Sequence, residues 1–227
     1  MDKKQELPEL FGALIHKAAL KQTVYKNTFE ALNLFKAGMQ KLVTRYDSLG
    51  SDQSKKIPFT YRDRNEFEAE LKFAGDTLVF IMHSNVFEIP RDHDVMRSAY
   101  IREDKERSYC GLINIFNFLS DSFKYNRLND IGYLIGRVLI NKDMHYFVEG
   151  KREIGFLYNT FGTSVMNQEF CGQILQSAIQ YTLNFDLLIP PYNDVKEVSV
   201  QEFISTVDTM QLRTGKRLGF KFQADQD

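Results

Sequence analysis

The chain has 227 residues, 43% of them hydrophobic and 26% charged, which is enough apolar side chain to fill one core. With 29 Lys and Arg against 30 Asp and Glu, its formal net charge of -1 excludes a general attraction for nucleic acid or anionic membrane and leaves only local patches to bind either. No apolar run approaches the roughly 18 residues of a membrane span, and the charged opening from Met1 to Glu6 leads into amphipathic sequence rather than a secretory leader.

The first element is the most regular. From Leu7, alternating steps of four and three residues land on Phe11, Leu14, Ala18, Lys21, Tyr25, Thr28, Leu32, Phe35, Met39, Leu42, Tyr46 and Leu49, and eleven of these thirteen positions are apolar. This heptad spacing predicts one amphipathic helix from Pro8 to Leu49, with Pro8 in its first turn and Gly50 as its C-cap. At 1.5 Å per residue it is about 63 Å long. A body made of the remaining residues is only about 40 Å across by radius-of-gyration scaling. The helix therefore breaks near Lys21 to Thr28, where β-branched Thr23, Val24 and Thr28 gather, or its free part pairs with a second copy or another protein. Pairing would use Leu14, Ala18, Lys21, Tyr25, Thr28 and Leu32, with polar Lys21 and Thr28 setting register. Residues 1–50 are read as this helical unit and 51–227 as a β-rich unit, with 50–56 as the linker.

From Ile57 the period changes to two. Phe67, Ala69, Leu71 and Phe73 alternate with Glu66, Glu68, Glu70 and Lys72, which describes a strand with one buried and one wet face. Gly75-Asp76 then predicts a hairpin turn into a strand from Thr77 to His83. Further strands are expected over Pro58 to Arg62, Tyr109 to Leu119, Ile131 to Asn141, Met144 to Glu149 and Ile154 to Tyr158. The turns at Asn141-Lys142-Asp143 and Gly150-Lys151-Arg152 are short enough to force antiparallel neighbours. Gly132 and Gly136, on one face with Leu134, Val138 and Ile140, predict a bend, or close approach by a helix or ligand.

Two helices follow. One covers Val165 to Thr182, and Pro190-Pro191 argues against an immediate restart. The other runs from the Ser199/Glu202 capping box, flanked by Val198 and Phe203, to about Leu212. Leu218 to Phe222 adds a terminal strand. The fold class is thus α+β: a long N-terminal amphipathic helix, an antiparallel meander forming a curved sheet, sandwich or partly closed barrel, and two C-terminal helices.

Chemistry-bearing clusters are sparse. His83, Asp92, His93 and Asp94, with Glu88 nearby, supply metal-ligand atom types without a metal motif's spacing, so a polar capping loop is the plainer reading. No nucleophile elbow occurs. Cys110 and Cys171 lie in apolar segments, as structural thiols in a reducing, cytoplasmic compartment do. Arg213, Lys216, Arg217 and Lys221 alternate with Phe220 and Phe222 and could hold a phosphate, or form the solvated face of the terminal strand. Lys124 to Arg127 and Lys151-Arg152 would add to that positive surface if their turns share one end of the sheet. No cofactor is implied. The sequence points to a non-enzymatic binding or scaffold protein that self-associates through its first helix. The alternatives are a small-ligand or nucleotide and phosphate sensor, and a metal-dependent hydrolase.

Overall fold

The computed structural model describes residues 3–50, 52, 56–128, 130–151, 154, 161–185, 189, 191–201, 203 and 204. Helix α1 runs unbroken from Lys3–Asp47, 45 residues or about 67 Å, so the break expected near Lys21 to Thr28 does not occur. Two β-branched residues there satisfy their hydroxyls on the previous turn. The Thr23 hydroxyl donates to Ala19 O at 3.0 Å and that of Thr28 to Val24 O at 2.7 Å. Pro8 lies inside the helix rather than opening it, and Gly50 takes the left-handed conformation (φ 60°) expected after the C-terminus.

Among the described residues seven strands follow: β1 Phe59–Asn65, β2 Glu68–Phe73, β3 Asp76–Met82, β4 Phe87–Glu88, β5 Tyr109–Leu119, β6 Tyr133–Ile140 and β7 Tyr146–Gly150. Their order is β1-β2-β3-β5-β6-β7, every pair antiparallel. Strand β4 pairs with the start of β5, beyond the stretch that β3 occupies. Since β1 and β7 do not pair, the sheet is not closed. Between β4 and β5 lies α2 (Ala99–Glu103), and α3 (Ser120–Lys124) follows β5 directly.

The hairpin turn comes one residue earlier than expected. Phe73 pairs with Asp76, leaving Ala74 and Gly75 as the turn, with Ala74 at φ 47°. Strand β6 carries an extra residue at Ile135, because Ile115 faces Gly136 while Phe116 faces Leu134. That bulge reverses the parity, so Gly132 and Gly136 do not share a face. Gly132 meets the Phe118 ring, and Gly136 and Gly150 form a notch filled by Ile154. Ile154 is helical rather than extended, and 155–158 of the strand expected there lie outside the described residues.

One face of the sheet is fully covered. Ala69, Leu71, Phe73, Leu78, Phe80, Ile113, Ile115 and Val148 pack against Leu32, Phe35 and Met39 of α1 and against Ile174, Leu175 and Ala178 of α4 (Gln168–Leu183). Asn167 caps α4, its side chain accepting from Phe170 N–H at 2.9 Å. The opposite face is half covered. Ile89, Ile101 and Phe161 pack on Cys110, Leu139 and Phe147 at one end, whereas Arg62, Glu70, Lys72, Thr77 and Phe118 at the other end line an open hollow. A short helix, α5 (Tyr192–Val195), restarts directly after Pro191, since proline's fixed φ suits a helix's first positions. Residues 200, 201, 203 and 204 are helical after Ser199, and the remainder of the helix expected there and the expected terminal strand fall outside the described residues. No helix among the described residues is long and apolar enough to cross a membrane.

Candidate functional site

Helix α1 changes partner at Leu20. Leu20, Val24, Ala31, Leu32, Phe35 and Met39 are buried, while every described side chain from Leu7 to Ala19 is exposed. Leu7, Leu10, Phe11, Leu14 and Ile15 are 54–67% exposed and fall on one face at spacings of three and four. The body first touches the helix at His16, whose Nδ1 lies 3.3 Å from Glu106 Oε1, and at Lys17, whose Nζ sits 3.4 Å from the centre of the Tyr109 ring. The preceding residues therefore project about 20 Å beyond the body.

The six residues expected to pair divide along this line. Leu14, Ala18 and Lys21 are exposed, and Tyr25 is half-buried, edge-on to Phe67. Thr28 and Leu32 are fully buried within the chain. Thr28 is pressed against β5 where Gly111 has no side chain; a Cβ on Gly111 would lie 2.0 Å from Thr28 Oγ1. Its place in the heptad serves intrachain docking. Beside the helix, Lys21, Gln22, Tyr25 and residues 84–87 line a groove of about 550 Å³, with Phe87 39% exposed.

The four metal-ligand candidates are held apart by other partners. His83 Nδ1 accepts from Asn85 N–H, and its ring stands edge-on to Phe87. His93 caps the 3-10 turn Asp94–Arg97: Nδ1 accepts from Val95 N–H at 3.2 Å, and Nε2 lies 3.0 Å from Glu149 Oε1. Glu149 also binds the Arg137 guanidinium. Asp92 and Asp94 are exposed, and Asp94 pairs with Arg97 at 3.5 Å. Among the described residues, no group of three or more His, Cys, Asp or Glu side chains is placed to hold a metal. Arg213, Lys216, Arg217 and Lys221 lie outside the described residues.

A polar lock ties the segment before β5 to the β6–β7 turn. Tyr100 stacks on His145 with centroids 4.8 Å apart and planes 8° apart. Its hydroxyl donates to Asp143 Oδ2 at 3.0 Å and accepts from Asn141 Nδ2 at 2.9 Å, and Arg107 reaches the same Asp143 oxygen at 3.0 Å. Burial, more than these partners, pushes the phenol up to about 12. Tyr100, Arg107, Asn141, Asp143 and His145 each bond another protein group, which suits a structural role.

The hollow at the uncovered end of the sheet differs. Its volume is about 590 Å³. Arg62 and Arg64 of β1, Lys72 of β2, Lys124 of α3 and Arg127 of the following loop line it, against two acids, Glu70 and Asp130. Thr77 and Ser120, both buried, join their hydroxyls at 2.8 Å, and Phe118 and Phe123 pack edge to face with centroids 5.1 Å apart.

The chain matches no family model, no curated protein and no solved structure.

Geometry alone therefore ranks two places: the projecting apolar face of α1 and the cationic hollow. Sequence reading located the first through its period, although two of the six residues named serve the core. Of the second it singled out only Lys124 and Arg127, as a turn. Arg62 and Lys72 were visible as polar strand positions, but nothing local marks them as neighbours of that turn. Lys151 does not line the hollow, and Arg152 lies outside the described residues.

Proposed function

We propose that this protein is a non-enzymatic binding or scaffold protein that works as a homodimer, joined by antiparallel pairing of its projecting helix with that of a second copy. The observation that carries this is the stripe of Leu7, Leu10, Phe11, Leu14 and Ile15, each more than half exposed on a helix that its own body does not cover. An isolated patch of this kind marks an interaction surface. The five side chains present about 500 Å² of apolar surface per copy, so pairing would bury about 1,000 Å², the lower edge of a specific interface. Interfaces at this low end of the size range are typically weak and reversible.

Two features favour a second copy over an unrelated partner. The heptad spacing continues through the free segment without a slip, the pattern that self-pairing helices use. An antiparallel register with Leu14 opposite the other copy's Ala18 places Phe11 at Lys21 and Leu7 at Tyr25, in the groove beside Phe87.

Disulfide trapping tests pairing and direction together. The native thiols, Cys110 and Cys171, are buried and leave the assay clean. A Leu14→Cys/Ala18→Cys variant should form a covalent dimer under mild oxidation, while Leu14→Cys alone should not, because its Cα atoms would be beyond the roughly 7 Å limit for a disulfide. A dimer formed equally well by Leu14→Cys alone would indicate parallel pairing and reject this register. Absence of any covalent dimer from either variant would reject self-association through this face.

A further inference from the structure

Independently of how α1 pairs, the hollow at the uncovered end of the sheet has the composition of an anion site. The whole chain is balanced, 29 cations against 30 acids, yet this one concavity gathers five cations and two acids. Glu70, largely buried, binds the Arg64 guanidinium, and Asp130 Oδ2, which accepts no hydrogen bond, lies 3.9 Å from Arg127. Arg62 and Lys72 form no ion pair among the described residues, although both stand on the open face of β1 and β2, one strand apart. Lys124 lies 4.9 Å from the centre of the Tyr125 ring, at the mouth of the same hollow.

Like charges lining one hollow repel one another. A bound anion removes that cost. The donor set narrows its class further. Guanidinium and ammonium groups, with the Ser122 and Ser120 hydroxyls on the same wall, match the tetrahedral oxygens of a phosphoryl group better than a single carboxylate. Phe123, 41% exposed, offers a ring at the rim, with the Arg64 guanidinium 5.0 Å from its centre. A volume of about 590 Å³ is that of a small-molecule site.

We propose that this hollow binds a phosphorylated small molecule, its phosphate held by Arg62, Lys72 and Lys124 and its planar or apolar part laid against Phe123. The site is separate from the projecting face of α1. Its lining comes from β1, β2, β3, β5, α3 and the loop that follows, so loss of dimerisation leaves it intact.

Calorimetric titration of the full chain at low ionic strength tests this, with inorganic pyrophosphate and with adenosine diphosphate as probes and sodium sulfate at equal ionic strength as the control. Either phosphate probe should bind with a dissociation constant below a millimolar, at least tenfold tighter than sulfate. The Arg62→Gln/Lys72→Gln/Lys124→Gln variant should weaken both probes tenfold or more. Arg62 and Lys124 are exposed and Lys72 is half-exposed, so the variant should keep its melting temperature within a few degrees and remain interpretable. Phe123→Ala should weaken adenosine diphosphate severalfold and leave pyrophosphate unchanged. No binding of either probe at millimolar concentration, binding matched by sulfate, or binding undiminished in the triple variant would each overturn the proposal. An equal loss for both probes in Phe123→Ala would overturn the role given to that ring.

Discussion

Replacing Gly111 by alanine tests how α1 is fixed to the sheet. The added Cβ would lie 2.0 Å from Thr28 Oγ1, 2.8 Å from its Cβ and 2.9 Å from its Cγ2, all below real van der Waals contact. Neither partner can yield easily. Gly111 is held in β5 opposite Ile140 of β6, and Thr28 is wholly buried, its hydroxyl bonded to Val24 O. Overpacking of this kind costs about 1–3 kcal/mol, and a clash with a side-chain stem belongs at the upper end. For a chain of this size about 3 kcal/mol lowers the melting temperature by roughly 6–12 °C. Thr28→Ala removes two of the three clashing atoms at a cost of about 1 kcal/mol for the lost packing and hydrogen bond. The double variant should therefore be less destabilised than the sum of the singles by about 1–2 kcal/mol. Urea unfolding of the four proteins reads the cycle directly. If Gly111→Ala lies within about 0.5 kcal/mol of wild type, or adds to Thr28→Ala without coupling, Thr28 does not dock the helix as described.

Lys36→Met should lower the urea midpoint by the equivalent of about 2 kcal/mol, because the buried ammonium donates to Asp63 Oδ1 and Asn65 O, both at 2.7 Å, and removing it leaves a strand-end carbonyl without its donor. Asp63→Asn should cost less, since that carboxylate is about half exposed. The Tyr100 phenol sits at about 12 in the fold and near 10 when unfolded, so the stability it confers is complete below pH 10 and is lost as pH rises from 10 through 12. Stability measured against pH should fall over that window, and Tyr100→Phe should flatten the fall; an unchanged slope would contradict the burial assigned to this hydroxyl. Burial also raises both thiols, Cys171 to about 12 and Cys110 higher, so neither should react with a disulfide reagent at pH 8 until urea unfolds the chain. Reaction of either thiol within minutes in the native protein would contradict that placement.

What the sequence revealed follows from how far each signal travels along the chain. The 3.5-residue period of α1 and the two-residue alternation of β2 are local, and both elements form where their patterns lie. Which surface meets a given seam position is not local. Lys21 and Thr28 carry the same polar signal seven residues apart, yet one remains in solvent and the other seals against Gly111, a glycine far along the chain. Turn preference also gave way to packing: burying Phe73 and Leu78 on one face fixes the Phe73 to Asp76 pairing, and Ala74 accepts a left-handed φ as a result. The bulge at Ile135 leaves no mark in a single sequence and reverses every face assignment before it. The hollow was the least legible feature, because its cations come from two adjacent strands and from the helix and loop that follow β5, and only the sheet order makes them neighbours.

Sedimentation equilibrium of the full chain from one to a hundred micromolar, beside a Leu10→Asp/Leu14→Asp variant, tests the pairing of α1 most directly. Both leucines are more than 60% exposed, so the variant should fold and melt as wild type does when dilute. Wild type should rise with concentration from 26.5 kDa toward twice that mass, while the variant stays at 26.5 kDa throughout. A wild-type chain that remains at the monomer mass at a hundred micromolar, or a variant that associates as strongly, would contradict assembly through the projecting helix.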